Sequence, residues 1–305
     1  MSAPLFAVID LGTNTFHLLI ARRYEDGQIE DVYRERRFIR LAENGIETIG
    51  PAPYQRALRT LKDYRRIIDE HGIPVDQVLA FGTAAMRTAS NGGALMREVT
   101  EDIGLNIRLI DGDEEARLIH QGVSLAIPPS ASYQLIMDVG GGSVEFIIAN
   151  REGVHWARSF PVGVAVLFRD FHHTEPIEAA EVDRLQAFLQ EALSPVRTAL
   201  QTQPCKDLVG SSGTFDILEQ FLGPEREQHQ HYAEVSVEAF EPFYQEIRAM
   251  DKTQRHQLPN MPKTRAEMLV VALVLVDVVM AMAGTKRIIV SDYAMKEGMI
   301  REMKV

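Results

Sequence analysis

Asp138 and Glu145 bracket a run of Gly140, Gly141, Gly142 and Ser143. Glycine lacks a Cβ, so such a run can bend sharply and turn its amide N–H groups toward an anion. A carboxylate on each side offers hard oxygen ligands for a divalent cation. Together these are the groups that hold a phosphate with its metal. An ordinary glycine-rich hairpin with solvated acids has the same composition, and from this stretch alone both readings stand.

The elements that must position these residues are apolar runs. Leu135, Ile136 and Met137 lead in, and Phe146 to Ala149 lead out, as two strands joined by a glycine turn. A related stretch, FAVIDLGTNTFHLLIAR, opens the chain. With an offset of 128 (position 138 minus position 10), Asp10 aligns with Asp138, Gly12 with Gly140 and Thr15 with Ser143. Leu18, Leu19, Ile20 and Ala21 then align with Phe146, Ile147, Ile148 and Ala149. Two such hairpins facing across a cleft could grip one phosphate chain from both sides.

Further candidates lie between and beyond the hairpins. Glu114 and Glu115 fall in the first turn of a helix that Asp111 or Asp113 can cap. They either complement the helix dipole or place one carboxylate as the base that activates a water. The small-residue turn Gly210-Ser211-Ser212-Gly213-Thr214 precedes a helical stretch; it is either a plain loop or an anion site at a helix start. Arg87, flanked by Thr83 and Thr88, is either a solvated arginine or a bidentate phosphate ligand. His172-His173 and His229-x-His231 lack partners at metal-ligand spacing and read as surface residues. The sequence contains no Walker loop, GxSxG elbow or dinucleotide-binding glycine fingerprint.

The pattern around these residues alternates strands and helices, which predicts layered α/β domains. Helices are expected over 54–71, 94–103 and, as one long element bent near Pro195, 179–200; strands are expected over 78–81, 107–110, 207–209 and 287–290. The polar stretch from Pro224 to Pro262 reads as helix plus loop. IPPSAS, around Pro128 and Pro129, is the expected domain boundary. Met268 to Ala283 is almost wholly apolar but contains Asp277 and is shorter than the roughly 20 residues a bilayer needs, so a buried helix is expected.

The chain has 305 residues, enough for two domains with their own cores. Its apolar share of 46% and charged share of 25% are those of a globular protein. With 32 basic and 43 acidic residues its net charge is −11, which argues against non-specific binding to nucleic acid or membranes. A polyanionic ligand would need local positive charge. One cysteine, Cys205, leaves no internal disulfide and fits a reducing, cytoplasmic setting. The start, MSAPLFAVID, lacks the basic and long apolar regions of a signal peptide.

Six segments, in order, resemble the exopolyphosphatase / guanosine pentaphosphate phosphohydrolase (Ppx/GppA) family: AVIDLGTNTFHLLIA, FGTAAMRTASN, IDGDEEARLIHQGV, LIMDVGGGSVEFII, GSSGTFD and SDYAMKEGMI. The resemblance implies an α/β fold of two ribonuclease-H-like, actin-like domains, 1–127 and 128–305, with the last helix able to pack back on the first domain and the active site in the cleft between them. It implies Glu115 as catalytic base with Glu114 in support, and Mg²⁺ or another divalent cation on Asp138 and Glu145, with Asp10 opposite. It implies phosphate contacts at Asn14, Thr15, Arg87, Gly140, Gly141, Gly142, Ser143, Gly213 and Thr214. A homodimer is a further expectation from the family.

Many family members carry additional helical domains associated with long polyphosphate, whereas this sequence runs only a few residues past SDYAMKEGMI, so processivity is not implied. Where the family often reads Arg-Ala-Asp followed by Pro-x-Gly, this chain has Arg265-Ala266-Glu267 and then Val270-Val271-Ala272, a change expected to touch none of the catalytic positions. The expected activity is removal of terminal phosphate from inorganic polyphosphate. The alternatives are 5′-phosphate hydrolysis of guanosine pentaphosphate, a small-molecule kinase of the same superfamily, and a nucleotide-gated assembly protein.

Overall fold

A computed structural model describes residues 3–43, 45–224 and 230–303. The chain opens with β1 (Leu5–Leu11), β2 (Thr15–Arg23) and β3 (Ile29–Phe38), an antiparallel meander. Next come α1 (Pro51–Glu70), β4 (Val78–Gly82), α2 (Ala84–Thr88), α3 (Gly92–Ile103), β5 (Ile107–Leu109) and α4 (Gly112–Ala126). The sheet runs β3-β2-β1-β4-β5, with β4 parallel to both β1 and β5. Successive side chains of a strand point to opposite faces. Ala7, Ile9 and Leu11 of β1 therefore pack with Phe16, Leu18 and Ile20 of β2 into the core covered by α1 and α3, while Asp10 projects from the other face.

The chain continues as β6 (Gln134–Val139), β7 (Val144–Asn150), β8 (Gly153–Phe160), α5 (Val164–Phe171), α6 (Ala179–Ala192), α7 (Ser194–Thr202), β9 (Asp207–Ser211) and α8 (Gly213–Leu222). Then follow β10 (Tyr232–Val235), α9 (Val237–Ala249), α10 (Lys252–His256), α11 (Lys263–Ala266), α12 (Leu269–Ala283), β11 (Arg287–Ser291) and α13 (Met295–Glu302). This sheet runs β10-β11-β9-β6-β7-β8. Read from β8 inward, it repeats the first: an antiparallel meander of three, then strands parallel to the first of them. The added β10 is antiparallel to β11.

By internal packing the chain divides into Met1–Gly122 with Met295–Val305, and Val123–Ala294. The first junction thus falls inside α4, a few residues before the IPPSAS stretch. In the first unit α13 lies on β1 and β2. A Cβ at Gly298 would stand 2.0 Å from the Leu118 carbonyl oxygen, so α13 meets the backbone of α4 where only glycine fits.

α12 is apolar nearly all round, Asp277 apart, because most of it is buried among α5, α6, α7 and α9. Among the described residues no helix is long and apolar enough to cross a membrane. Three expectations need correction. The helix expected over 179–200 is two helices separated at Leu193; Pro195 lies in the first turn of the second, where its missing N–H costs nothing. The stretch after Pro224 contains the strand β10, which its polar composition concealed. The helix after the third loop begins at Gly213, inside the loop's own motif.

Candidate active site

The two hairpins share one geometry. β1 and β2 pair Asp10 with His17; β6 and β7 pair Asp138 with Glu145, the same register offset by 128 (138 minus 10). In each turn the glycine N–H bonds back to a carbonyl: Gly12 to Thr15 at 3.1 Å, Gly140 to Ser143 at 3.0 Å. A Cβ would meet that same carbonyl oxygen at 2.9 Å from Gly12 and 2.8 Å from Gly140. The internal repeat seen in sequence is therefore a repeat of backbone structure.

In the second unit the glycine run is braced by α5. Val164 donates to the Gly140 carbonyl at 3.0 Å, Ala165 to Gly141 at 2.9 Å and Gly163 to Gly142 at 3.3 Å. This satisfies amides at the start of α5 that have no helical partner. In a trans peptide the C=O and the following N–H point in opposite directions. The N–H groups of Gly141, Gly142 and Ser143 therefore face away from α5, as an anion-binding concavity requires. The close approach needs Gly163, whose Cβ would lie 2.4 Å from the Gly141 carbonyl. In the first unit the carbonyls of Thr13 and Asn14 accept from Leu41 (2.8 Å) and from Ile39 and Arg40 (2.8 and 3.0 Å). The Asn14 and Thr15 amides are turned the opposite way by the same rule.

The carboxylates of the second unit are tied to the third loop. Ser211 donates to Asp138 Oδ2 at 2.9 Å and Ser212 to Oδ1 at 2.6 Å. Ser159 donates to Glu145 Oε1 at 2.7 Å. Asp138 and Glu145 are 7% and 2% exposed and stand directly opposite on antiparallel strands, so their side chains share one face. This pair of oxygen donors suits a hard divalent cation. Among the described residues no group of three or more His, Cys, Asp or Glu gathers at metal-binding distance.

The third loop is shaped by Ser212, whose φ of 69° lies in the left-handed region. Its carbonyl accepts from Phe215 and Asp216, which leaves the Gly213 and Thr214 amides at the open N-terminus of α8. Gly213 also has a neighbour that sequence reasoning missed. A Cβ there would lie 1.5 to 1.6 Å from the Arg265 guanidinium. The segment expected to touch no catalytic position thus rests an arginine on the third loop. No periodicity in the sequence marks a contact across about fifty residues of chain.

In the first unit Asp111 caps α4 by accepting from the Glu114 amide at 2.8 Å. Glu115, one residue on, is 7% exposed, and its Oε2 lies 3.9 Å from Arg87 Nη1. That is ion-pair distance, too long for a hydrogen bond. Arg87 is held from behind by the Ile110 carbonyl. Glu114 points elsewhere, with Arg108 at 2.6 Å and Arg117 at 3.7 Å. The two adjacent glutamates accordingly separate into one buried beside Arg87 and one in a surface ion network.

The histidines fare differently from expectation. His172 is buried, 3.4 Å from Glu175, and burial holds its imidazole below the ordinary histidine range despite that carboxylate. His173 is exposed. His229 lies outside the described residues, and His231 stacks on Tyr293 with ring centroids 4.3 Å apart.

Residues 19–304 match the model of the Ppx/GppA phosphatase family. The chain is 31% identical over 224 residues to the guanosine-5′-triphosphate,3′-diphosphate pyrophosphatase of Aliivibrio fischeri (strain MJ11), a match covering 72% of this chain and 44% of that protein. It thus spans less than half the length of that relative. The crystal structure of an exopolyphosphatase from Cytophaga hutchinsonii superposes with a TM-score of 0.93 at 34% identity, covering 98% of this chain and 97% of that one. An Aquifex aeolicus family member superposes with a TM-score of 0.81 at 23% identity over 98% of this chain and 97% of its own, a likeness of fold. The two α/β units are the actin-like, ribonuclease-H-like domains of that fold. With its paired hairpins, serine-clamped aspartate and buried glutamate, the chain belongs to the Ppx/GppA phosphatase family.

Proposed function

We propose that this chain is an exopolyphosphatase that releases orthophosphate from the end of inorganic polyphosphate. A water oxygen bonds to the terminal phosphorus while the bridging P–O bond breaks. Glu115 takes the proton from that water, and the electron pair leaves with the shortened chain as its new terminal oxygen. The observation that carries the reading is the orientation of the glycine run: its carbonyls are spent on α5, so its amides are free to meet phosphoryl oxygens. Fixed donors aimed at developing charge supply most of the catalysis in phosphoryl transfer.

In this reading Asn14, Thr15 and Arg87 of the first unit, and Gly140 to Ser143, Gly213, Thr214 and Arg265 of the second, bind phosphate oxygens. Glu114 supports α4 through its arginine pairs. Asp138 and Glu145 would hold Mg²⁺, with Asp10 as the candidate third carboxylate. When bound, the ion neutralises phosphoryl charge. The two units are taken as the two domains, and a homodimer remains part of the proposal. Cys205 is buried, with its thiol pushed up to about 12, and has no part in the chemistry.

Polyphosphate is preferred because the likeness to the Cytophaga exopolyphosphatase runs over nearly the whole of both chains. The second reading, hydrolysis of guanosine pentaphosphate, is favoured by the 31% identity to the Aliivibrio pyrophosphatase. The deciding experiment is phosphate release with Mg²⁺ from short polyphosphate, long polyphosphate and guanosine pentaphosphate, with Glu115→Gln beside the unaltered protein. Release from polyphosphate that vanishes in the variant supports the proposal. Release from the nucleotide alone replaces it with the second reading.

A further inference from the structure

Arg255 is the largest wholly buried side chain among the described residues, at 0% exposure. It sits on α10, a helix of five residues closed by a complete capping box of Asp251 and Gln254. Every nitrogen of its guanidinium is committed. Nε donates to the Ala266 carbonyl at 2.8 Å, Nη1 to the Met250 carbonyl at 2.6 Å, and Nη2 to both oxygens of Glu175 at 2.8 and 3.0 Å. One side chain thereby joins three connections: the α5–α6 turn, the α9–α10 turn and α11.

Burying a charge is expensive, and an apolar side chain of similar volume often stabilises a fold as well or better. What an arginine adds is direction, because its planar fork fixes three bonds at set angles. The bond that matters here is the one to Ala266. Its neighbour Arg265 is the residue whose guanidinium lies over Gly213. α11 has only four residues and two amide bonds back to Pro262, so it has little regular structure of its own to orient Arg265. Lys252 with Glu267, at 2.7 Å, is a second tie on the same segment.

We infer that Arg255 is a positioning residue for phosphate binding: it grips the Ala266 carbonyl and so sets Arg265 over the third loop. The inference rests on the proposed reading of that loop as a phosphate site. Lysine at position 255 keeps the charge but has one nitrogen where arginine has three, so it cannot hold all three connections. Substrate binding should weaken, while the chemical step, driven from Glu115, should change little.

The test is a double-mutant cycle of Arg255→Lys and Arg265→Lys, with binding of inorganic tripolyphosphate measured by calorimetry and hydrolysis by phosphate release. Arg265→Lys is expected to weaken binding about tenfold and Arg255→Lys by several-fold, in KM rather than kcat. The double variant should bind no worse than about twofold below Arg265→Lys alone, because Arg255 acts through Arg265. Multiplying effects, or an unchanged KM in Arg255→Lys, would overturn the inference while leaving the phosphatase reading intact. Absence of tripolyphosphate binding and hydrolysis in the unaltered protein would overturn the exopolyphosphatase reading and, with it, the inference. Should Arg255→Lys fail to fold, Glu175→Gln, which removes the charge partner of the clamp, takes its place in the cycle with the same expected non-additivity.

Discussion

Glu115 and Arg87 face each other at 3.9 Å, the carboxylate almost fully buried and the guanidinium anchored from behind by the Ile110 carbonyl. In the proposed reaction Glu115 takes the proton from the attacking water and Arg87 binds a phosphoryl oxygen. Glu115→Gln keeps the shape and removes the proposed base. It is expected to lower kcat by about 100- to 10,000-fold with little change in Tm. Glu114→Gln, which disturbs only exposed ion pairs, is expected to change kcat by less than about threefold. Steady-state phosphate release from both variants checks the division of labour.

The clamp on Asp138 makes a separate prediction. Ser211 and Ser212 hold its two oxygens, and such supporting bonds typically matter by about 10- to 100-fold in metal affinity or activity. The Ser211→Ala, Ser212→Ala double variant is expected to raise the Mg²⁺ concentration for half-maximal activity by about tenfold. Glu145→Gln, which removes a proposed ligand outright, should raise it further. Activity titrated with Mg²⁺ after treatment with a chelator reads both effects; an unchanged Mg²⁺ requirement would remove Asp138 and Glu145 from the metal site.

Gly163 is where α5 touches the glycine run. An added Cβ would sit 2.4 Å from Gly141 backbone atoms, which cannot give way without moving the loop. Gly163→Ala is expected to cost about 1–3 kcal/mol of stability and to weaken phosphate binding with it. Gly93→Ala is the contrast: in α3 its Cβ would meet only the tip of Arg97 at 3.8 Å. That change is expected to be neutral or to stabilise by up to about 1 kcal/mol. Thermal unfolding of the two variants separates close packing from glycine replacement in general.

His172 predicts a pH dependence of stability. Burial lowers its pKa in the folded chain, so between that value and the ordinary value near 6.5 the unfolded chain binds the extra proton. Stability from this group is fully present above about pH 6.5 and falls as the pH drops toward the folded pKa. His120, also lowered by burial and then by Arg301, acts in the same direction. Tm measured from pH 7.5 to pH 5 should therefore decline, and His172→Gln should flatten the decline. A slope unaffected by that substitution would show that His172 titrates normally.

How much of this was legible in advance follows from the range of the interactions involved. Local pattern settled the hairpins. Alternation of apolar residues placed the strands, glycines marked the turns, and the offset between Asp10 and Asp138 foretold a register that recurs pair for pair. The helix carrying Glu115 was readable for the same reason, since its cap at Asp111 is three residues away. The break at Leu193 was not, because Pro195 is compatible with both a bend and a fresh helix start. Neither was β10, a four-residue strand made stable by its partner β11 rather than by its own composition.

By itself, then, the sequence determined the repeated strand–turn–strand units, their glycine-rich turns and the family to which they belong. Tertiary structure alone decided which residues stand around those loops. It laid Arg265 on Gly213, buried Arg255 against Glu175 and Ala266, and withdrew His172 from the surface. The physical reason is that periodicity encodes which face a side chain takes on its own element. A contact between side chains from distant elements depends on how those elements pack, and a buried charge finds its partners only there.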